Sequence, residues 1–376
     1  MKFPSPSVLG LFGVSILSVS CGGSGNSESS NSTNAISVPA TINLIPANQN
    51  GAQRLFVSVS RVGTLQISLP LLFDTGSGGV AIDATQVFPS NVVSSGGFSF
   101  PAGATSITSD GITVTNVALD VTFANTIQHG NIGSAQITFG DAAGYVTTAT
   151  MPLFFYYAIT DRVGNALPLP PQKGIFGVNG ITTEASGNLA SPIKYLQFKN
   201  LNTGFLLNPV GSYPVCDITQ GTCIPQPLLT VGLDAARESA FTSFDMICGT
   251  QNVTGPTGSY TINPGINGCS SVLPATVSVG GVALNSVPAP TVVFDTGSPG
   301  YTLSTSLTVS APTNGTVLQV SLPAPNATAP FTYSWNVGSG VDANTSLAAG
   351  PAIVGSNFFL NHAYLIDFSR SIIGLR

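Results

Sequence analysis

The tetrapeptide Asp-Thr-Gly-Ser occurs twice in this chain, each time directly behind three apolar residues. The first copy lies in LLFDTGSGGVAID (71–83) and the second in VVFDTGSPGYTLS (292–304). An apolar strand that ends in aspartate delivers a carboxylate to the edge of a rigid core, and glycine lets the chain turn back so that its amides approach that carboxylate. The repeat therefore predicts two similar carboxylate loops, one from each half of the chain.

Two carboxyl groups that face each other can carry out acid–base chemistry without a metal. If they lie within about 4 Å, ionising both costs roughly 4 kcal/mol at an effective dielectric constant near 20, equivalent to about three pKa units. One carboxyl group then keeps its proton. The ionised group can take a proton from water while the protonated group donates to a carbonyl oxygen, which allows peptide hydrolysis. The alternative for either copy is a simple strand-ending turn, since Asp and Gly both favour turns.

Composition narrows the classes of function. Of the 376 residues, 7% are charged and 43% are hydrophobic, and the formal net charge is -5. The hydrophobic content argues against a disordered chain, and the lack of a basic stripe argues against nucleic acid as a partner. Few native ion pairs would be lost if the carboxylates were protonated, which favours a protein that tolerates acid.

The N-terminus has the pattern of an export signal. A lysine precedes an apolar run over residues 8–19, which is too short to span a bilayer, and small residues lead into Cys21. Cys21 and the following GGSGNSESSNSTN resemble the lipidation site and flexible tether of a bacterial lipoprotein. Ordinary signal-peptide cleavage, with Cys21 discarded, is the alternative. We expect a signal peptide over residues 1–21, a tether over 22–38, and a location in the bacterial cell envelope (periplasm or outer membrane) or outside the cell.

Four further cysteines lie close together in the second half of the chain. In an exported protein they allow three disulfide pairings, and the nearest-neighbour scheme joins Cys216 to Cys223 and Cys248 to Cys269. A zinc site is the alternative, although no C-x-x-C spacing and no histidine accompany these cysteines. We therefore expect two disulfides, no metal and no cofactor.

The elements that must position the two carboxylates are mostly strands. Runs of β-branched and aromatic residues recur beyond the tether and are broken by Gly, Pro and Asn. Helical patterns are short and lie near residues 191–201, 234–241 and 355–363. The sequence predicts an all-β protein with few short helices.

Each half of the chain repeats the same order of motifs. KGIFGV (173–178) follows the first Asp-Thr-Gly-Ser and PAIVGS (351–356) follows the second, so that an apolar run ends in a glycine each time. We expect two lobes built alike, which meet near Thr203. The first, over residues 39–203, carries the first motif, and the second, over 204–376, carries the second motif and the disulfides.

On these motifs the chain resembles the pepsin family of aspartic proteases. AIVGSNFFLNHAYLIDFSRSIIGLR (352–376) looks like the closing block of that family, and LLTVGLDAA (228–236) is similar to its V-x-x-G-G-x-D segment. FANTIQHGNIG (123–133) fits the spacing of the β-hairpin flap that covers the family's active site. Phe123 stands where the family carries a tyrosine, which keeps an aromatic ring but removes the hydroxyl group. The resemblance implies a bilobed all-β fold with a cleft between the lobes.

The resemblance also implies roles for individual residues. Asp74 and Asp295 would be the catalytic pair. In each loop the threonine would tie it to the other loop, the glycine would supply an amide to the carboxylate, and the serine would offer a hydroxyl to the outer carboxylate oxygen. These supporting residues are Thr75, Gly76, Ser77, Thr296, Gly297 and Ser298. The hairpin tip that would contact substrate consists of Phe123, Ala124, Asn125 and Thr126.

Three hypotheses about function follow. The first is an exported aspartic endopeptidase, favoured by acidic pH, that cleaves peptide or protein substrates as a monomer and meets the membrane only through a lipid anchor at Cys21. The second is a non-catalytic envelope lipoprotein or binding protein of the same fold, with the altered hairpin as the sign of lost activity. The third is a β-rich surface adhesin, which leaves the doubled motif unexplained.

Overall fold

Strands make up most of the described chain, as the sequence predicts. The computed structural model describes residues 35–49, 51–123, 126–180, 189–213, 216–249, 252–255, 258–261, 268–284, 290–305, 310, 312–323, 329–339, 345–348 and 350–376, with the backbone alone for those between 247 and 268. Thr33–Arg376 form one compact unit. Cys21 and the rest of the predicted signal peptide lie outside the described residues.

The first half of the chain contributes strands that run without a helix longer than one turn between them. They are β1 (Ala40–Gln49), β2 (Ala52–Val62), β3 (Leu65–Asp74), β4 (Gly78–Asp83), β5 (Val93–Ser94), β6 (Gly97–Phe98), β7 (Ser106–Ser109), β8 (Ile112–Phe123), β9 (Thr126–Ala135), β10 (Ile137–Asp141), β11 (Gly144–Thr147), β12 (Met151–Asp161), β13 (Ala166–Leu167) and β14 (Gly174–Val178).

The second half contributes strands that are mostly shorter. They are β15 (Asn202–Leu207), β16 (Gln226–Leu233), β17 (Thr242–Asp245), β18 (Ile247–Gly249), β19 (Asn252–Gly255), β20 (Gly258–Thr261), β21 (Gly268–Ser270), β22 (Leu273–Pro274), β23 (Thr276–Val279), β24 (Val282–Leu284), β25 (Thr291–Phe294), β26 (Tyr301–Ser304), β27 (Val317–Leu322), β28 (Phe331–Asn336), β29 (Thr345–Ala348), β30 (Ala352–Val354), β31 (Tyr364–Asp367) and β32 (Ile372–Leu375).

Helices are short, and each of the three predicted helical patterns contains one, while the 3-10 turns Ala84–Gln86 and Ile218–Gln220 have no predicted counterpart. The α-helices within the described ranges are α1 (Ala235–Glu238) and α2 (Ser356–Asn361), and a 3-10 turn covers Pro192–Tyr195. Asp234 caps α1, since its side chain accepts a hydrogen bond from the Arg237 amide. No helix in this part of the chain has the length and apolar character needed to cross a membrane.

The same order of five strands occurs in each half. In the first half, β3 lies between antiparallel β2 and parallel β14, and β4 and β12 follow. In the second half, β25 lies between antiparallel β22 and parallel β30. The next strand, β26, is antiparallel to β30 and parallel to β29, as β4 is to β14 and β12 in the first half. Each Asp-Thr-Gly-Ser therefore follows a strand whose parallel neighbour is the apolar run that ends at Gly177 or Gly355.

The largest sheet contains strands from both halves. β1 pairs with β2 and also with β16, and β15 pairs with both β16 and β31. β31 continues to β32, which pairs with β17. The boundary expected between residues 203 and 204 falls inside β15, a strand of this shared sheet. The division of the chain into two lobes stays a prediction.

Aromatic side chains form a continuous core behind the two motifs. Phe73 and Phe294, which directly precede the two aspartates, are 0% and 1% exposed. Phe73 packs against Phe205 with ring centroids 6.1 Å apart, Phe205 against Tyr364 at 6.2 Å, and Tyr364 against Phe294 at 6.4 Å. Burying such side chains contributes about 1.5–3 kcal/mol each, so both strand ends are held by one packed cluster.

One of the two expected disulfides is confirmed. Cys216 and Cys223 are bonded, with Cα atoms 5.5 Å apart, which removes both thiols from the zinc alternative. Cys248 and Cys269 face each other in the β18–β21 pair, an arrangement that suits the second disulfide. The Cys248 side chain lies outside the described part, and that bond stays a prediction. A disulfide is typical of an oxidising, exported environment.

Candidate active site

The two Asp-Thr-Gly-Ser loops meet through a reciprocal set of hydrogen bonds. The Thr75 hydroxyl donates to the Phe294 carbonyl (2.8 Å) and accepts from the Thr296 amide (3.0 Å). In return, the Thr296 hydroxyl donates to the Phe73 carbonyl (2.7 Å) and accepts from the Thr75 amide (3.1 Å). Both threonines are 0% exposed, so water does not compete for these bonds. The threonines thus join the loops at the positions from which the sequence predicts a tie.

Asp74 is buried and has a donor at each carboxylate oxygen. The Gly76 amide donates to Oδ1 at 2.7 Å, and the Ser77 hydroxyl donates to Oδ2 at 2.6 Å. Hydrogen bonds to a charged acceptor are the strong ones, worth about 1.5–3 kcal/mol each. The first loop therefore provides the two contacts expected of Gly76 and Ser77, and they suit an ionised carboxylate.

Asp295 is partly buried and receives fewer donors. The Gly297 amide donates to its Oδ1 at 2.7 Å. Among the described residues, no hydrogen bond joins the Ser298 hydroxyl to this carboxylate; the Ser298 amide instead donates to the Asp295 carbonyl at 3.3 Å. Pro299 restricts the backbone of Ser298, whereas Ser77 precedes glycine. The structure thus does not bring the Ser298 hydroxyl to the place where the sequence predicts it.

Each carboxyl group lies against the glycine of the opposite loop. A Cβ atom on Gly76 would lie 2.4 Å from Asp295 Cγ, and one on Gly297 would lie 2.8 Å from Asp74 Oδ1 and 3.0 Å from Asp295 Oδ1. Any side chain at these positions would displace a carboxylate, so the close approach requires glycine. Both carboxyl groups therefore converge on one small space between the loops.

The pKa of Asp295 is raised well above its usual range. Burial is the largest cause, followed by the negative charge of Asp74 and a hydrogen bond shared with Asp74. The Gly297 amide and the positive charge of Arg54 act in the opposite direction, with smaller effect. A protonated Asp295 beside an ionised Asp74 is the state expected of two carboxyl groups that hold one proton between them.

An antiparallel hairpin of β8 and β9 occupies the segment that resembles a flap. Phe123 pairs with Thr126, and the Thr126 hydroxyl donates to the Phe123 carbonyl at 2.9 Å. Ala124 and Asn125 lie outside the described residues. Phe123 packs against a buried apolar cluster to which Leu72 and Ile175 belong, and these residues lie on the strands that lead to Asp74 and Gly177. The hairpin thus contacts an apolar cluster that is separate from the aromatic core and that includes side chains of the strands leading to the first carboxylate loop.

Two polar features of this region have no sequence motif of their own. Arg54 in β2 acts on Asp295 through its charge, and nothing in its local sequence indicates this. His129 in β9 lies 2.8 Å from Asp120 Oδ1 through Nδ1 and 2.9 Å from Thr160 Oγ1 through Nε2. The contact with Thr160 depends on the tertiary fold. The Asp120 pairing could have been found from the sequence, because a hairpin that pairs Phe123 with Thr126 also places residue 120 opposite 129.

No protein-family model matches this chain, and no curated protein matches its sequence.

Proposed function

We propose that this protein is an exported aspartic endopeptidase with a bilobed, pepsin-like fold, in which Asp74 and Asp295 share one proton and activate a water molecule. The observation that carries the proposal is the convergence of these two carboxyl groups on one space, held by the Thr75–Thr296 tie. A simple strand-ending turn would require no second loop, whereas here each loop bonds to the other.

In the proposed reaction Asp74 is the general base and Asp295 the general acid. Asp74 takes a proton from water as the water oxygen attacks the carbonyl carbon, and Asp295 gives its proton to the carbonyl oxygen. The tetrahedral diol then returns a hydroxyl proton to Asp295 while Asp74 protonates the peptide nitrogen and the C–N bond breaks. The donors from Gly76 and Ser77 stabilise the negative charge on Asp74 at the start and end of the cycle.

The surroundings of the site support a peptide as substrate. The resemblance to the pepsin family favours apolar side chains on either side of the cleaved bond. The half-buried Phe123 ring, which packs on an apolar cluster, would provide a surface without a hydroxyl donor. Since one chain supplies both carboxyl groups, the enzyme would act as a monomer. The export pattern and the disulfide support a place in the bacterial envelope or outside the cell, with Cys21 as a lipid anchor.

A cleavage assay tests the proposal. We expect the full chain to cut an unfolded protein faster at pH 4 than at pH 7, with inhibition by pepstatin. Asp74→Asn and Asp295→Asn should each lower the rate by about 10²–10⁴-fold, because general acid–base catalysis contributes that much. Asp245→Asn removes an exposed carboxylate and should cut like the wild type.

Circular dichroism of each variant establishes that it is folded. The protease proposal is wrong if the folded wild-type chain never cuts, or if the two variants cut as fast as Asp245→Asn. The first of these results would favour the non-catalytic binding protein.

A further inference from the structure

A second pair of carboxyl groups lies outside the candidate active site. Glu238, the last residue of α1, is 7% exposed, and Asp367, the last residue of β31, is 0% exposed. The side-chain amide of Asn202 donates to both, at 2.8 Å to Glu238 Oε1 and 2.9 Å to Asp367 Oδ2. One amide therefore holds two buried carboxyl groups side by side.

The other partners of this pair supply one positive charge. Arg370 Nη1 donates to Glu238 Oε2 at 2.6 Å, and the amides of Ser369 and Arg370 donate to Asp367 Oδ1 at 2.8 and 3.1 Å. With both carboxyl groups ionised, the buried pair carries two negative charges against the one positive charge of the half-exposed Arg370 side chain, so that one negative charge is uncompensated. Such a charge is costly away from water, so the group gains by taking up a proton.

Among the described residues, Glu238 is the one charged side chain whose charge contributes to the raised pKa of Asp367, although two cations lie on neighbouring elements. Arg237 on α1 forms an ion pair with Asp234, and the Lys194 ammonium lies over the Phe368 ring, 4.9 Å from its centroid.

We propose that Glu238 and Asp367 form a proton-binding latch, in which one shared proton fastens α1 to the end of β31 and, through Asn202, to β15. Backbone bonds span the same junction, since Thr203 accepts from the Phe368 amide (2.8 Å) and its own amide donates to Ser369 Oγ (2.7 Å). Loss of the proton leaves two like charges facing each other at this junction and weakens it. The latch does not depend on the proposed protease activity.

The direction of the pH effect follows from the environment of Asp367. Burial and the hydrogen bond with Glu238 raise the pKa of Asp367 to about 6, with a smaller contribution from the Glu238 charge; the amides of Arg370 and Ser369 oppose the shift. In the unfolded chain an aspartate titrates near 3.9. The stabilisation is therefore complete below about pH 4 and is lost as pH rises through 6. For this group alone, the unfolding equilibrium constant should rise about tenfold between pH 5 and pH 7.

Urea unfolding of the full chain between pH 5 and pH 7 tests the latch. In the wild type, the pair should raise the unfolding equilibrium constant about tenfold between pH 5 and pH 7. Asp367→Asn and Glu238→Gln should each remove most of this increase. Asp245→Asn is the matched control, because it changes an exposed aspartate on β17, which pairs with β32. This variant should keep the wild-type pH dependence of unfolding. If both Asp367→Asn and Glu238→Gln keep the wild-type pH dependence of unfolding, the proposal is wrong.

A carboxyl carbon NMR titration keeps the test decisive if Asp367→Asn does not fold. In the wild-type protein, the Asp367 resonance should titrate near pH 6, and in Glu238→Gln its midpoint should move toward 4. A wild-type midpoint at or below 4 would show that no proton is shared.

Discussion

Ser77 and Ser298 hold the same place in the two motifs but make different contacts. The Ser77 hydroxyl donates to Asp74 at 2.6 Å, whereas the Ser298 amide donates to the Asp295 carbonyl and its hydroxyl makes no bond to the carboxylate within the described residues. Asp74 thus has two donors from its own loop and Asp295 has one. This difference, together with the raised pKa of Asp295, favours the proton on Asp295.

Removing the Ser77 hydroxyl should therefore slow the proposed reaction. A hydrogen bond to a charged group is worth about 1.5–3 kcal/mol. Without it the base of the pair should take up a proton in weaker acid, so kcat of Ser77→Ala at acidic pH should fall by up to roughly 10–100-fold. Ser298→Ala is the matched control and should change kcat by less than about threefold. Steady-state kinetics at acidic pH would measure both, and equal losses in the two variants would contradict the asymmetry.

At the scale of elements, the threonine tie joins two strand ends that are far apart in the sequence. Each threonine hydroxyl donates to the carbonyl of the phenylalanine that precedes the opposite aspartate, and those phenylalanines belong to one buried aromatic core. The tie and the core together fix the ends of β3 and β25. The loops can therefore hold two carboxyl groups close together without moving apart.

Thr75→Val tests how much the tie stabilises the protein. Valine has the shape of threonine but leaves the Phe294 carbonyl and the Thr296 amide buried without this partner, so the free energy of unfolding should fall by about 2–4 kcal/mol. Thr75→Ser keeps the hydroxyl and loses one methyl group, and it should cost only about 1 kcal/mol. Urea unfolding at one pH would measure both; similar losses would mean that packing, not the hydrogen bonds, makes the tie important.

The whole molecule has few charges, yet its described part contains the two carboxyl pairs for which we propose a shared proton, Asp74 with Asp295 and Glu238 with Asp367. The pKa values of Asp295 and Asp367 are both raised, so each stabilises the folded protein in acid and loses that effect as pH rises. His362 acts in the opposite direction, because burial lowers its pKa. Asp161 and Asp217, whose pKa values are lowered by local hydrogen bonds, matter only in stronger acid.

We therefore expect the melting temperature to fall between pH 5 and pH 7.5. Two carboxyl groups should outweigh one half-buried histidine, and Asp295→Asn should reduce the decline by removing the contribution of the candidate active site. Differential scanning calorimetry in buffers of equal ionic strength would measure this. A melting temperature that rises over this range would show that neither pair retains its proton in the folded protein.

Local patterns were enough to predict several features. Alternating and apolar runs predicted the β class, the short spacing of Cys216 and Cys223 predicted their disulfide, and the resemblance around Phe123 predicted the hairpin. In each case residues near in sequence are also near in space, so that local backbone preferences and short loops largely determine the outcome.

The sequence by itself determined that two carboxylate loops exist, because Asp-Thr-Gly-Ser encodes its own turn. Only the tertiary structure decided that Thr75 donates to Phe294, 219 positions away, that Ser298 does not act as Ser77 does, and that Asn202 joins Glu238 to Asp367. These contacts depend on which strands pair and on how their side chains pack. Pairing and packing are properties of the whole chain, and no local motif specifies them.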